Sequence, residues 1–454
     1  MSVPTVPRRG RLRFSRILLV AALTLAALGL IAAVLSVQHR SPEPLLPDWR
    51  QQVQRRDQRA FLLATALGDQ LAHLAGVAPA KVRDWFNAWY ENEEPVDPEV
   101  DRIVTGAQPN VQRLETLLMR GTPQWTVDET IDTILEFAQN AGIASKVLLL
   151  YAVRQWSVGN RSETIEMVAL TLRLARVLRS RAGMVQTAVA DAIERRALRV
   201  VERTLLRAQT LATEHIKPLA ALLQVGEAYQ TELLNALRNE YLLWWNTLEK
   251  IEQGDRQLAC SFCSTVTRTR CVPWSFSRAG LAAYFRHLSR EHYTVDPLDL
   301  KRRLNACYRR LFALARDPRR SPAELVAAIR EEKVFQNGPR WQAVFGSPEP
   351  FVVAHYEVAA RRVLTYAGLH WLLYRRRHGA DPPSLEAITP SRSSRHALRD
   401  PFGTGWVRYR KLDHGRVVLY SVGWDGVDNR GQPARDWDVE ARGDITLELP
   451  PLDG

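Results

Sequence analysis

Near its C-terminus the chain runs through an apolar stretch, 417–422, into Gly423-Trp424-Asp425-Gly426-Val427-Asp428, and it returns through Gly443-Asp444-Ile445. A strand that empties into an acidic, glycine-containing loop and comes back to one more carboxylate has the spacing to wrap calcium, a hard cation that takes roughly six to eight oxygens. The plainer reading is that Asp425-Gly426 makes a tight turn and Asp428 is solvated.

The second chemical group is four cysteines, Cys260, Cys263, Cys271 and Cys307. Cys-x-x-Cys with two more cysteines downstream is a zinc pattern in a reducing compartment. In an oxidising compartment the same four read as two disulfides whose pairing the spacing leaves open. The polar stretch 261–270 is the kind of loop that needs such a staple. A redox-active Cys260/Cys263 pair is the third option, but no thioredoxin-like strand–helix pattern surrounds it. Two disulfides are the expectation.

Carboxylates and histidines give less. Glu91, Glu93, Glu94, Asp97, Glu99 and Asp101 form an acidic stretch around Pro95 and Pro98. A solvated loop is the default reading. A hydrolase would first be sought at Glu91, Glu94 and Asp97, because paired carboxylates in different surroundings divide acid and base roles. His287 and His292 are five apart, which is not the metalloprotease pair. His355 and Glu357 are two apart, fall on different helix faces, and read as structural or exposed. No nucleophile elbow, phosphate loop or dinucleotide glycine pattern occurs, so enzyme activity is not the leading expectation.

These groups must be positioned by helices over most of the chain. Ile165, Val168, Leu172, Ala175 and Leu178 recur three or four apart, with arginines opposite. Asn160 or Ser162 starts that helix, after a Gly159-Asn160 turn. Thr126 with Glu129, and Ser321-Pro322-Ala323-Glu324, read as capping boxes, and Asp296-Pro297 as another start. Trp85, Phe86, Trp89, Tyr90, Trp244 and Trp245 read as core, with a peptide groove as the alternative. The absence of a regular repeat predicts an irregular helical stack over 49–350. A helix over 351–377 follows, with one buried stripe through Val352, Tyr356, Ala359, Val363, Tyr366, His370 and Leu373, ending at Gly379. Alternation at Val407/Tyr409 and Val418/Tyr420/Val422 predicts two antiparallel strands, with 445–449 as a third.

Residues 17–37 form an uncharged apolar run long enough to span a bilayer. Arg8, Arg9, Arg11, Arg13 and Arg16 precede it, which predicts a cytoplasmic tail over 1–16 and an uncleaved anchor, with the rest of the chain periplasmic. Prolines at 42, 44 and 47 make 38–48 a short stalk. The chain of 454 residues carries a net charge of +13. That excess is read as an arginine-rich solvated face, for example at Arg173, Arg176, Arg179, Arg181, Arg195 and Arg196. Attraction to an anionic membrane is the sharper reading, and no nucleic-acid motif is present.

The tail order resembles the globular part of the type II secretion major pseudopilins. The long helix ends at His378-Gly379, then come Pro382-Pro383-Ser384-Leu385, Asp400-Pro401-Phe402-Gly403, Tyr420-Ser421-Val422-Gly423-Trp424-Asp425-Gly426, and Asp444-Ile445. The layout as a whole is similar to bacterial membrane-anchored helical proteins that carry this tail. The resemblance implies a small α+β module over 351–454. It also implies a structural calcium whose ligand candidates, carried over by position, are Asp425, Asp428 and Asp444, with Asp436 and Asp438 as extras. The anchor departs from a prepilin: Gly10 is followed by Arg11, Leu12 and Arg13, without the expected glutamate.

The fold class expected is therefore mainly α, with a transmembrane helix, a helical stack and a short antiparallel sheet. The function expected is a single-pass, bacterial inner-membrane binding or scaffold protein of an envelope assembly, with protein partners in the envelope and no nucleic acid. An envelope hydrolase, or a thiol–disulfide protein using Cys260/Cys263, is the alternative.

Overall fold

The computed structural model describes residues 42–47, 58–76, 81–120, 131–180, 183–207, 212–224, 228–255, 297–317, 320–331, 348–389, 396–433 and 443–451. The expected basic tail and anchor, Cys260, Cys263, Cys271, His287, His292, Asp436, Asp438 and the Thr126/Glu129 box lie outside these residues. Among the described residues no helix is long and apolar enough to cross a membrane.

The described helices are α1 (Gln58–Gly76), α2 (Lys81–Asn92), α3 (Glu99–Met119), α4 (Ile131–Ser157), α5 (Arg161–Arg179), α6 (Met184–Val200), α7 (Thr213–Leu223), α8 (Ala228–Glu252), α9 (Pro297–Arg316), α10 (Pro322–Glu331) and α11 (Pro348–His378). The strands are β1 (Arg408–Lys411), β2 (Val417–Ser421) and β3 (Ile445–Leu449). The chain is thus mainly helical with one small antiparallel sheet. Local signals account for several boundaries. Asn160 accepts from the Glu163 N–H at the start of α5. Ser321 and Glu324 close a reciprocal box on α10: Ser321 N–H donates to Glu324 at 2.8 Å and Glu324 N–H donates to Ser321 at 3.2 Å. α11 ends where Gly379 turns to a φ of 64°.

The aromatic groups resolve as core. Phe86, Trp89, Trp244 and Trp245 are buried, and Trp85 and Tyr90 pack against them from the edge. Large apolar rings lose most by staying wet, and neighbouring helices cover these faces.

α11 is the axis of the molecule. α6, α7, α8 and α10 pack on it from one side, and β2 and β3 from another. The single buried stripe expected for it is too narrow, because layers on two sides bury most of its circumference. The close approach passes Gly368, where a Cβ would lie 3.1 Å from Leu447 of β3 and 3.2 Å from Leu206. Leu206 belongs to a π-helical turn, Val201–Leu206, that continues α6.

The sheet has the order β1-β2-β3, with Arg408 opposite Tyr420 and Ser421 opposite Ile445. Every residue of β2 is buried, although its sequence alternates. The reason is a second cover: α11 takes one face, and the returning loop lies on the other, with Gly431 directly over Val418 and Tyr420. Asp400 explains the Asp-Pro-Phe-Gly turn. Its carboxylate is fully buried and accepts from Phe402 N–H (3.0 Å), Ser421 Oγ (2.6 Å) and Val422 N–H (3.0 Å). The turn and the end of β2 are thereby tied to one side chain.

The proline-containing stalk does not stand off from the body. Leu45 N–H donates to the Tyr241 hydroxyl at 2.8 Å, Asn305 donates to the Glu43 carbonyl at 2.7 Å, and the Tyr241 hydroxyl donates to Asn305 Oδ1 at 2.9 Å. Leu45 and Leu46 pack on the core. Residues 42–47 are a strap laid across α8 and α9.

Candidate anion-binding cleft

Charged side chains from four helices meet inside the body. Arg179 of α5 donates to Asp191 Oδ1 at 2.6 Å and to Glu194 Oε2 at 2.5 Å, both on α6. Arg362 of α11 forks onto Glu194 at 2.5 and 2.8 Å. Glu232 of α8 lies 3.5 Å from both guanidinium groups. His355 of α11 places Nδ1 2.9 Å from Asp191 Oδ2 and Nε2 2.8 Å from the Tyr229 carbonyl. Both ring nitrogens face acceptors, an arrangement that favours the protonated ring. Burial alone lowers the His355 pKa, but Asp191 overrides it and holds the group above its ordinary range. Burial likewise pushes the Asp191 carboxyl up, and His355 and Arg179 pull it well below the carboxylate range. Two arginines and His355 thus match Asp191, Glu194 and Glu232 in charge. This corrects the reading of Arg179 as part of a solvated face: it is buried because α6, α8 and α11 bring it three carboxylates.

Beside this cluster, at neighbouring positions of α6 and α11, the same two helices open into a cleft of about 310 Å³, lined by Tyr90, Arg195, Arg199, Glu357 and Arg361. α6 supplies Arg195 and Arg199, four apart on one face. α11 supplies Glu357 and Arg361, also four apart. The π-helical turn sets Glu202 behind them, 3.5 Å from Arg199 and 3.5 Å from Arg361. Single π turns recur beside functional sites, since the extra residue re-aims the side chains that follow. Arg203 of that turn holds α2 in place by donating to the Trp89 carbonyl at 2.9 Å, which brings Tyr90 to the cleft wall.

The electrostatics of the cleft differ from those of the interior. Arg195–Glu357, Arg199–Glu202 and Arg361–Glu202 are separated by 3.4, 3.5 and 3.5 Å, the long end for ion pairs. Arg195 Nε is shielded from solvent and donates to no acceptor among the described residues, while 35% of that side chain stays open. Cations crowd: burial and nearby Arg195 hold Arg196 below the usual guanidinium range, and burial and Arg199 do the same to Arg203. Burial also pushes the Glu357 carboxyl up, and Arg195 only partly offsets this. Glu357 is occupied on both oxygens, by Arg195 and by Trp424 Nε1 at 3.4 Å. What the arrangement offers is three guanidinium forks converging on one solvent-open space, the geometry that grips carboxylate or phosphate. Among the described residues no serine or cysteine lines it.

The residues singled out in the sequence lie elsewhere. Glu91, Glu94 and Asp97 are exposed and do not line the cleft. Asp97 accepts from Glu99 N–H at 2.8 Å, a cap for α3, and Glu94 accepts from Asn92 at 3.1 Å. Standing in solvent, the three are not gathered around the cleft. Cys307 is buried on α9. In the sequence Arg195 reads as part of a solvated face and Glu357 as structural or exposed, and neither Arg199 nor Arg361 is singled out. Their signal was the repeated four-residue spacing of charge on two helices, but nothing in the sequence brings those helices together.

The acidic loop of the tail is closed by hydrogen bonds. Asp425 accepts from Val427 N–H (3.0 Å), Asn429 Nδ2 (2.9 Å) and Gly443 N–H (3.1 Å). Asp444, itself buried, accepts from Gly431 N–H (2.6 Å) and Asn429 N–H (3.3 Å). Asp428 accepts from Arg430 N–H at 2.9 Å and lies 3.5 Å from the Arg408 guanidinium. Burial and Asp428 push the Tyr420 hydroxyl up to about 12. Among the described residues no group of three or more histidine, cysteine or carboxylate side chains is placed to hold a metal ion. As arranged, each of the three aspartates faces N–H donors, and Asp428 also faces an arginine.

Compared with family models, with curated proteins and with solved structures, the chain matches none.

Proposed function

We propose that this chain is a single-pass binding protein of the bacterial cell envelope, anchored through residues 17–37, whose helical body holds an anionic ligand in the cleft between α6, α11 and Tyr90. The observation that carries the reading is the convergence of Arg195, Arg199 and Arg361 on one open space, where Arg195 Nε donates to no acceptor among the described residues. Guanidinium forks grip carboxylate or phosphate bidentately. The apolar run and its arginine flank support the anchor. The pseudopilin-like order of the tail supports an envelope assembly, with secretion as its setting.

The test is calorimetric titration of the detergent-solubilised full chain with sulfate and with inorganic phosphate at constant ionic strength. Binding is expected, weakened by a factor of about 10 to 100 in Arg361→Gln, the worth of one charge-assisted contact. It should be unchanged in Lys411→Gln, an exposed position on β1. No heat of binding from either anion, with the protein folded, overturns the reading.

A further inference from the structure

The strap and α9 together define how the body sits against its membrane. Asn305, the strap's landing point on α9, has Arg302 three residues before it and Arg309 four residues after it, so the two arginines flank the strap on the same helix face. Arg302, Arg303, Arg309, Arg310 and Arg316 are all exposed on α9. Arg303 is offset by Asp299 at 2.9 Å, and Arg316 lies over the Phe312 ring at 5.5 Å. The opposite face of α9, with Leu300, Leu304, Tyr308 and Leu311, is buried against the core. α9 is thus an amphipathic helix whose outer side is an arginine row.

The chain outside the described residues says what that row meets. From Val37, the last residue of the apolar run, to Glu43, already docked, there are six residue steps, at most roughly 22 Å even when fully extended. Arg40 lies within that span. A tether this short, landing between Arg302 and Arg309, keeps α9 within about two Debye lengths of the bilayer. The attraction of anionic headgroups for basic side chains falls off within one Debye length, so α9 meets it when the tether is not drawn to its full reach.

We infer that the arginine face of α9 lies on the anionic phospholipid surface of the membrane that anchors the chain, with the 42–47 strap as the device that orients it. The inference rests on the anchor reading of 17–37 and is independent of what fills the cleft. A protein partner of acidic character would suit the charge equally, but only the membrane is delivered to this face by the tether.

The test is arginine footprinting of the full chain with phenylglyoxal, read by mass spectrometry. The chain is reconstituted in vesicles of phosphatidylcholine alone and of phosphatidylcholine with phosphatidylglycerol. In the anionic vesicles Arg302, Arg309 and Arg310 are expected to react about fivefold more slowly, the effect of one surface contact each. Arg102 and Arg410, exposed on α3 and β1, should react alike in both. High salt should abolish the difference. Equal rates in the two vesicles, with the chain floating with the lipid, overturn the inference and leave the anchor standing. A chain that does not float with either vesicle overturns both. Arg302→Gln/Arg309→Gln gives a second arm: it should still float, while Arg310 loses its protection.

Discussion

Trp424 donates its indole N–H to Glu357 Oε1 at 3.4 Å, and the other oxygen of the same glutamate lies 3.4 Å from Arg195. One carboxylate therefore joins the tail segment that precedes the acidic loop to the arginine cleft of the helical body. Its charge opposes any anion entering there. Glu357→Gln is expected to tighten sulfate binding about three- to tenfold, the effect of deleting one partly screened charge nearby. Titration calorimetry at pH 8 reads this directly, and unchanged affinity would place the ligand outside the cleft.

The same group predicts a pH dependence. Because burial raises the Glu357 pKa, lowering the pH neutralises it while the arginines remain charged. Sulfate, whose charge is constant across this range, should bind more tightly as pH falls toward the raised value. In Glu357→Gln the dependence should vanish. A wild-type profile that stays flat between pH 8 and 5 contradicts the assignment.

His355 gives the opposite slope for stability. Its folded pKa is raised by Asp191 against burial, with Glu232 assisting and Arg179 opposing. Arg176 lies at the rim of the same cluster. A raised histidine stabilises fully below its unfolded value of about 6.5 and loses that contribution as pH rises through the folded value. Thermal melts should therefore fall as pH rises above about 6.5, and the drop should be smaller in His355→Gln. Equal drops would mean the ring is neutral throughout.

Removing one partner of the interior cluster should be severe. Arg362→Met leaves Glu194 buried opposite Arg179 alone, at an expected cost of about 3–5 kcal/mol. Lys411→Met on the exposed edge of the sheet should cost under about 0.5 kcal/mol. Urea denaturation monitored by far-ultraviolet dichroism measures both.

Two carboxylates in the tail separate staple from ligand. Asp400→Ala deletes three hydrogen bonds in a buried position and should cost about 2–4 kcal/mol, with faster amide exchange at Phe402 and Val422. Calcium and chelator should give coincident melts, because Asp425, Asp428 and Asp444 already face N–H groups and Arg408. A calcium-dependent rise, lost in Asp425→Ala, would show that the loop rearranges around the ion.

Local chemistry in the sequence announced much of the fold. Asn160, Ser321/Glu324 and Gly379 mark helix ends, and alternation marks the first two strands, because capping and pleating are set within a few residues. The interior cluster was hidden because Asp191 and His355 are 164 residues apart, and charge is ordinarily read as solvated. A trace of it was present: Thr187, Asp191, Glu194 and Leu198 share the buried side of α6, so acids stand where apolar residues belong. The cleft left less. Its arginines look like any solvated row until α2, α6 and α11 are brought together, and that meeting depends on Gly368 and the π-helical turn, neither of which has a local signature.

The strap at Glu43–Leu45 also decides how the molecule answers a pull. On the anchor proposed for residues 17–37, a pull from the bilayer would reach the described body at Tyr241 and Asn305, where two hydrogen bonds and two leucines hold the strap. Releasing those few contacts would lengthen the tether by the strap's own span without unwinding α8 or α9. The strap would then act as a mechanical fuse between membrane and body.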